Sequence, residues 1–505
     1  MGGSSGKEEM KETDDAEPHV VGESPQHGGG CHYLLMVLLF LAHVVLVLGL
    51  AISWWSDTGD DLTERLQALY DSETNTFHLI EKVILYASIA SVLFVFLYYI
   101  LMRFCATVFI FTTQVTLVVA LGAMGAACFY ESSVADVTGD VAIAVLLGAL
   151  FTILASVVFL WMCCNWKQLR ATGAMISHVS GVLTAQPGPL VIQFVLTGLA
   201  VFWVFICASA TLEAVLLVPE AGEEFGDEGE EDSLSTSEYY GATYCIVLYG
   251  FLVLFWGSLV VTNISVVTTC GLVGTWFHDP AYLEKGSIGC KPAVWGAFKR
   301  ACVNFLGSIV LGSLLLAIVR TIIVAVRYLA EKYGKESLVL KLACCCVLCC
   351  LGCCEKCLEW LSEYAYAYMA VYGTPFITSG ARVVGMMSSS GMTAIAQTFL
   401  TGTIIRFGDL LGLVLGAAVG WLVELNEDEQ TSENEEHVWV AMATGAVVGV
   451  VISDIGLSLL SAGVKTIFVC CAEDPQVLWN RDPELARLLN LAGGPTTVEV
   501  TLARP

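Results

Sequence analysis

The chain has 505 residues, of which 56% are hydrophobic and only 14% are charged. A soluble domain carries about 25% charged residues, so this composition excludes an ordinary water-soluble protein. The net charge of −25 is concentrated in a few segments, so the charges mark particular connections between apolar stretches.

Apolar runs without charged residues define the fold class. The runs at 33–55 and 141–164, among others, exceed the roughly 20 residues that a helix needs to cross the hydrocarbon layer. They are rich in Leu, Val, Ala and Gly and do not alternate polar with apolar residues, which argues against an outer-membrane β-barrel. The sequence therefore predicts an all-α, polytopic integral membrane bundle.

The two ends of the chain differ from the apolar centre. Residues 1–31 are polar and rich in Gly and Glu, so we predict a disordered cytoplasmic tail without a cleavable signal peptide. A transmembrane domain is predicted over 32–471. The remaining segment, 472–505, is predicted to be a cytoplasmic C-terminal tail.

The first half of the chain contains six predicted spans, at 33–55, 80–102, 105–129, 141–164, 190–218 and 240–264. Segment 168–186 is too polar to cross a membrane. We expect it to lie along the cytoplasmic face, before the break that Pro187-Gly-Pro189 imposes.

Charged connections predict the orientation. Segment 219–238 contains nine acidic residues and no basic one, and 425–437 is a second acidic loop, whereas basic residues occur in 165–189 and 278–300. Basic loops stay cytoplasmic, so the acidic loops are predicted outside and both termini inside. An acidic run is either a solvated connection or a field that concentrates cations.

The second half contains further apolar stretches at 303–319, 394–423 and 438–472. An odd number of crossings must separate the inner connection 278–300 from the outer loop 425–437. One span with a re-entrant excursion satisfies this parity, and so do three spans with 364–387 as the middle one. We favour three, which gives about ten spans in all.

Four stretches resemble one known family. They are a Trp-containing span with Phe255-Trp256, Gly271 and Trp276-Phe277; LGSIVLGSLLLAIV at 306–319; a Cys-rich run that leads into YAYMAVYG within 344–376; and TIFVCCAEDP at 466–475. In combination, from about residue 240 onward, they are similar to the choline-transporter-like solute carriers.

This resemblance implies about ten spans, cytoplasmic termini, a plasma-membrane location, and facilitated or ion-coupled movement of choline or a related small amine. The short segment 56–79 after the first span resembles the fungal and protist members, which lack a large first extracellular loop. Two positions depart from the family pattern: Lys465 stands where the family has Asp, and Asp409 where it has Lys.

Aromatic residues are candidates for recognising such an amine, because a quaternary ammonium cannot donate hydrogen bonds and binds aromatic faces near anions. Tyr249, Trp256 and Asn263 recur every seven residues and project in nearly one direction from a helix. Trp203 is a further candidate. These residues form either a substrate-binding face or a packed aromatic core, and the sequence leaves both interpretations open.

Ionisable residues inside spans give a sharper signal, since each costs roughly 2.5–3.5 kcal/mol at mid-depth on insertion scales. The candidates are Glu213, Arg320, Arg406, Asp409, Asp454 and Lys465. Counting from the acidic loop places Asp409 and Asp454 both about 22–24 Å below the outer surface. Glycine stripes on both helices predict close packing, so the two carboxylates would bind a cation or share a proton.

The exchange of charges at Asp409 and Lys465 suggests a different partnership, in which these two residues form an ion pair. The same count places Lys465 about 16 Å deeper than Asp409, which argues against it. A purely structural ion pair also stays open.

Eight cysteines lie within 344–357. A zinc site is disfavoured because no second ligand pair follows an intervening loop and no His is near. We expect either S-palmitoylation or inert membrane-facing thiols. The candidate acylation sites are Cys344, Cys345, Cys346, Cys349 and Cys350.

Nucleotide-binding and hydrolase motifs do not occur in the sequence, so we expect neither an ATP-driven pump nor an enzyme, and no cofactor, metal or nucleic-acid partner. Three hypotheses follow: a carrier for a choline-like organic cation, a non-transporting scaffold or receptor with the carrier fold, and an inorganic cation channel. Asp409 and Asp454 favour the carrier, because a scaffold gains little from buried acids. The sequence does not define the oligomeric state.

Overall fold

The structure is a computed structural model that describes residues 30–72, 74–134, 138–224, 236–279, 292–333, 338–426 and 435–489. Within these ranges the chain is helical and contains no strand. Eight of the described helices are long and apolar enough to cross a membrane. The predicted polytopic all-α fold is therefore confirmed. Most of the predicted N-terminal tail and residues 490–505 lie outside the described ranges, as do 225–235 and 427–434 of the acidic loops.

The helices of the first half are α1 (Gly30–Ser72), α2 (Thr74–Val134), α3 (Thr138–Cys164), α4 (Trp166–Ala185), α5 (Gly188–Glu224) and α6 (Thr236–His278). Those of the second half are α7 (Pro292–Lys299), which continues into a π-helical turn (Arg300–Asn304), α8 (Leu306–Tyr333), α9 (Leu338–Tyr372), α10 (Phe376–Leu425), α11 (Glu435–Glu473), α12 (Pro475–Arg481) and α13 (Pro483–Leu488).

Two long helices, α6 and α11, run parallel to each other. Cys270 Sγ lies 3.7 Å from the carbonyl oxygen of Ala462, and further along His278 Nε2 lies 3.1 Å from Asp474 Oδ2. Both helices therefore begin at the same end of the bundle, next to the two acidic segments. We call this the acidic end, and the end that contains His278 and Asp474 the opposite end.

Helices α8, α9 and α10 cross between these ends three times. The ring centroids of Tyr244 and Tyr328 are 5.2 Å apart, so α8 ends at the acidic end. Helix α9 returns, since Tyr372 donates a 2.7 Å hydrogen bond to Asp474. The middle crossing is thus 338–372, and the predicted span at 364–387 is wrong. Gly373 has φ of 70° and precedes Pro375 by two residues, and this combination ends a helix.

Helix α2 contains two predicted spans, 80–102 and 105–129, without an intervening loop. No Gly, Pro, Asn or Asp stands between them to break the helix. The helix is nevertheless bent. Tyr98 and Phe109 have ring centroids 5.7 Å apart, although eleven residues of straight helix rise by about 16 Å. Ser177 of α4 donates a hydrogen bond to the Arg103 carbonyl at the bend, and an inserted side chain of this kind is a known cause of kinks.

The C-terminal helices α12 and α13 pack on the opposite end, although we predict 472–505 as a tail. Leu478 and Leu485 are buried there. The Arg481 guanidinium donates a 2.7 Å hydrogen bond to the Trp276 carbonyl and lies 3.6 Å from the centroid of the Trp276 ring. Arg481 thereby caps the C-terminal end of α6, where carbonyls have no helical partner.

Helices α10 and α11 form the closest contact in the described bundle. A Cβ atom added to Gly416 would overlap the carbonyl oxygen of Gly445, and one on Gly420 would overlap that of Ala441. The glycine stripes predicted from the sequence therefore do bring the two backbones together. This contact fixes the register of every residue along the pair.

Candidate cation site

The structure brings Asp409 of α10 and Asp454 of α11 together, with Arg406 between them. Arg406 Nη1 lies 3.2 Å from Asp409 Oδ2 and 3.2 Å from Asp454 Oδ1. The prediction that the two carboxylates share a depth on touching helices is confirmed. The sequence interpretation missed the role of Arg406, although its position three residues before Asp409 places both on one helix face.

The cluster of Arg406, Asp409 and Asp454 carries a net charge of −1 when both acids are ionised. The Asp409 side chain is only 6% exposed, whereas that of Asp454 is 51% exposed. Asp409 Oδ1 and the neighbouring Ser453 Oγ are buried and make no hydrogen bond within the described part of the chain. Buried polar atoms are normally paired, so these two oxygens are candidate atoms for contact with a ligand.

Small residues and tyrosines position this cluster. Gly408 and Gly412 of α10 leave no room for a Cβ atom beside α11. From α2, the Tyr98 hydroxyl donates a 2.8 Å hydrogen bond to the Ile404 carbonyl, and the Tyr99 hydroxyl donates to the Gly456 carbonyl. The charged cluster therefore lies beside the interface of α2, α10 and α11, where hydrogen bonds from tyrosine side chains to backbone carbonyls join α2 to the other two helices.

The alternative interpretation, an ion pair between Asp409 and Lys465, is wrong. Lys465 instead pairs with Glu363 of α9. Lys465 lies eleven residues beyond Asp454 on α11, a rise of about 16 Å. Asp409 lies at the depth of Asp454, so this distance is more than the side chains of Asp409 and Lys465 can bridge. Helical rise counted from the sequence therefore predicts the partner of Asp409 better than the apparent exchange of charges with Lys465 does.

Helix α9 carries acidic residues that the sequence interpretation did not include among the candidates. Arg320 of α8 pairs with Glu355 at 2.9 Å and with Glu359 at 3.2 Å, and Lys356 pairs with Glu359 at 2.8 Å. With Glu363 these acids recur every four residues on one helix face. That spacing is visible in the sequence, but the segment lies outside the predicted spans.

The predicted aromatic face forms a separate, packed cluster on α1, α6 and α8. Trp256 is buried, and its indole N–H donates a 3.0 Å hydrogen bond to the Val310 carbonyl. The Phe40 and His43 rings each lie 5.2 Å from the Trp256 ring. This geometry favours the packed-core interpretation of Trp256 over direct contact with a substrate.

The remaining aromatic-face candidates are also engaged in packing. Asn263 donates hydrogen bonds to Ser313 Oγ at 2.9 Å and to the Tyr366 hydroxyl at 3.3 Å. Tyr249 lies 5.7 Å from the His43 ring. Trp203 donates a 3.3 Å hydrogen bond to the Val253 carbonyl. These contacts do not join the face to Asp409 and Asp454, so the predicted site residues form two groups rather than one.

Two other groups of candidates have a clear place in the bundle. Glu213 of α5 is buried and accepts a 2.9 Å hydrogen bond from Ser53 of α1.

Of the candidate acylation sites on α9, Cys344 is buried, and the exposed ones are Cys345, Cys346, Cys349 and Cys350. Because α9 begins at the acidic end, palmitoylation of these residues stays a prediction that depends on which end faces the cytoplasm.

A bundle of long apolar helices defines a polytopic integral membrane protein, and its charged cluster lies on two of the candidate spans. Residues 149–476, about two thirds of the chain, match the family described as plasma-membrane choline transporter. The chain belongs to this choline-transporter-like family. The match begins well before residue 240, where the resemblance in the motifs starts.

Curated relatives from fungi and an amoeba agree with this assignment. The chain is 24% identical to protein PNS1 of Mycosarcoma maydis over 70% of this chain and 64% of that protein. It is 26% identical to protein PNS1 of Yarrowia lipolytica over 67% and 58%, and 24% identical to a CTL-like protein of Dictyostelium discoideum over 68% and 56%. The matches span less than two thirds of the length of these relatives.

Proposed function

We propose that the chain is a plasma-membrane carrier that moves choline or a related small organic cation, by facilitated or ion-coupled transport. Membership of the choline-transporter-like family supports the transport class. The observation that carries the proposal is the net negative cluster of Arg406, Asp409 and Asp454, because a monovalent cation neutralises it.

In this proposal each residue of the cluster has a distinct role. Asp454 is half-exposed and attracts the ammonium group. Asp409 Oδ1 is a free acceptor, so it takes a hydrogen bond from the substrate hydroxyl. Arg406 holds both carboxylates at 3.2 Å and keeps them from repelling each other, which leaves one negative charge for the substrate.

Uptake of labelled choline into proteoliposomes tests this function. We expect Asp454→Asn and Asp409→Asn each to reduce uptake at least tenfold, because a loss of about 1.4 kcal/mol of binding energy is a factor of ten. Glu81→Gln is the matched control, since the Glu81 side chain is 78% exposed at the acidic end of α2.

The outcome separates the carrier from its alternatives. Saturable uptake that unlabelled choline inhibits supports a carrier. A conductive flux of inorganic cations that choline does not inhibit would indicate a channel instead. Wild-type protein that folds and inserts but shows no flux of either kind would favour a scaffold or receptor.

We also propose that the acidic end faces the exterior and that the termini are cytoplasmic, as basic loops imply. Ser233→Cys, in the first acidic loop, should react with an impermeant maleimide added to intact cells. Ser287→Cys, in the connection at 278–300, should react only after permeabilisation. Because the chain has 20 cysteines of its own, labelling is read as the increase over the parent protein. The reverse pattern would invert the topology.

A further inference from the structure

The ammonium group of Lys465 occupies an environment that suits a free organic cation. It is paired with the Glu363 carboxylate and lies 6.0 Å from the centroid of the Tyr364 ring. The Lys465 side chain is 6% exposed and that of Glu363 is 39% exposed. A carboxylate beside an aromatic face is the combination that recognises ammonium groups.

Three neighbours fix the Tyr364 ring. Its hydroxyl lies 3.1 Å from Thr398 Oγ1 of α10. The Trp360 ring lies 5.1 Å from it on α9, and the Phe468 ring lies 5.7 Å from it on α11. The Tyr364 ring is therefore held by contacts from its own helix and from two others, as a binding site requires.

A second observation concerns buried polar side chains next in sequence to residues of this site. Gln397, next to Thr398 on α10, is 1% exposed, and neither its amide oxygen nor its amide nitrogen has a hydrogen-bond partner within the described ranges. A buried amide without partners is costly, and a hydroxylated ligand offers both a donor and an acceptor. Ser362 Oγ, beside Glu363, is also buried without a partner among the described residues.

Acidic residues recur on one face of α9 between the acidic end and Glu363. Glu355 and Glu359 lie two turns and one turn before Glu363 on the same face, and each is occupied by a basic side chain. The half-exposed Glu363 is the last of the three, before the fully buried segment 364–371. Contact of a charged carboxylate with hydrocarbon is unfavourable. We therefore expect the exposed side of Glu363 to face a polar crevice.

We infer that Glu363 and Tyr364 form an organic-cation site and that the Lys465 ammonium is its built-in occupant, which an incoming amine displaces. This inference deepens the proposed function by naming a second site in the same carrier. Because Lys465 is part of the chain, it keeps the site neutral when no substrate is bound, and an unpaired carboxylate that is partly buried is unfavourable. Lys465 also weakens substrate binding, which allows release.

Equilibrium binding of tetramethylammonium to the detergent-purified full chain tests the inference without requiring transport. We expect Lys465→Met to bind the probe at least tenfold more tightly than the wild type, because the competing cation is gone. Lys465→Arg retains the competition and should match the wild type. In the Lys465→Met background, Tyr364→Leu should reverse most of the gain and Tyr364→Phe should not, because phenylalanine retains the aromatic face.

The double variant Glu363→Gln/Lys465→Met distinguishes a site from a structural ion pair. If the pair serves only stability, Lys465→Met lowers the melting temperature, the double variant restores it, and probe affinity stays at the wild-type value throughout. That result would overturn the inference. If Lys465→Met does not fold, Lys465→Gln takes its place with the same expectation. Tighter probe binding by Lys465→Met, together with a wild type that shows no choline uptake, would refute the proposed transport and leave this site standing.

Discussion

Gly416→Ala is expected to destabilise the protein by about 3 kcal/mol, because a methyl group at this position meets backbone rather than a movable side chain. Its Cβ would overlap the Gly445 carbonyl oxygen and the Gly445 carbonyl carbon. Overpacking of a core costs about 1–3 kcal/mol when side chains can shift, and two helix backbones shift less readily. The measurement is the thermal unfolding of the purified protein in detergent.

Gly402→Ala is the matched control in the same helix. No heavy atom lies within 4 Å of a Cβ added to Gly402, and alanine has a helix propensity about 1 kcal/mol better than glycine. This variant should be neutral or slightly more stable. Equal melting temperatures for the two variants would show that α10 and α11 are not held at the distance the structure shows.

Separation of α10 from α11 would also change the charged cluster. Asp409 and Asp454 lie on opposite sides of this helix contact, and both reach the same guanidinium. Gly416 lies ten residues from Arg406, or about 15 Å along α10. We therefore expect the loss of helix packing in Gly416→Ala to be accompanied by loss of choline uptake.

The register of α10 and α11 could be predicted from the sequence because it depends on two local patterns. The glycine stripes and the short acidic loop together fix which residues face each other, and Asp409 and Asp454 follow from a count of helical rise. No tertiary information enters that count. The sequence places Arg406 within the membrane but does not identify its partners, because its side chain could point to either helix.

The bend of α2 and the partner of Lys465 could not be predicted in this way. The bend involves a hydrogen bond from Ser177 of another helix, and nothing in the sequence around Arg103 indicates it. Glu363 is not among the predicted site residues because charges on α9 lower the apparent hydropathy of this helix, so the sequence predicts the span at 364–387 instead. Pairing across α9 and α11 depends on how distant helices assemble, which local periodicity does not encode.

The surroundings of Trp256 also could not be predicted from the sequence. Seven-residue spacing correctly predicts that Tyr249, Trp256 and Asn263 share one face of α6. It does not indicate what covers that face. In the structure α1 and α8 cover it, with Phe40 and the Val310 carbonyl in direct contact with the indole.

Arg406→Met is expected to lower the stability by about 1–2 kcal/mol and to be rescued by a second change. Removing one partner of a fully buried ion pair typically costs about 3–5 kcal/mol and an exposed pair contributes about 0–1 kcal/mol, and this cluster lies between the two. The Arg406 side chain itself is 77% exposed, so little is lost from its own burial. The cost comes from Asp409, whose nearly buried carboxylate would face Asp454 without an intervening cation. The effect is measured by thermal unfolding in detergent. The control is Lys356→Met, which removes the charge of an exposed lysine.

The double variant Arg406→Met/Asp454→Asn should recover most of this loss, because a single buried carboxylate no longer faces a like charge. Asparagine retains the size of Asp454, so packing is unchanged. Arg406→Lys should be intermediate, since an ammonium group restores the charge but lacks the planar guanidinium. If the double variant is no more stable than Arg406→Met, the three residues do not act as one electrostatic unit. The net charge of the cluster could then not account for cation binding, and the proposed transport site would have to lie elsewhere in the bundle.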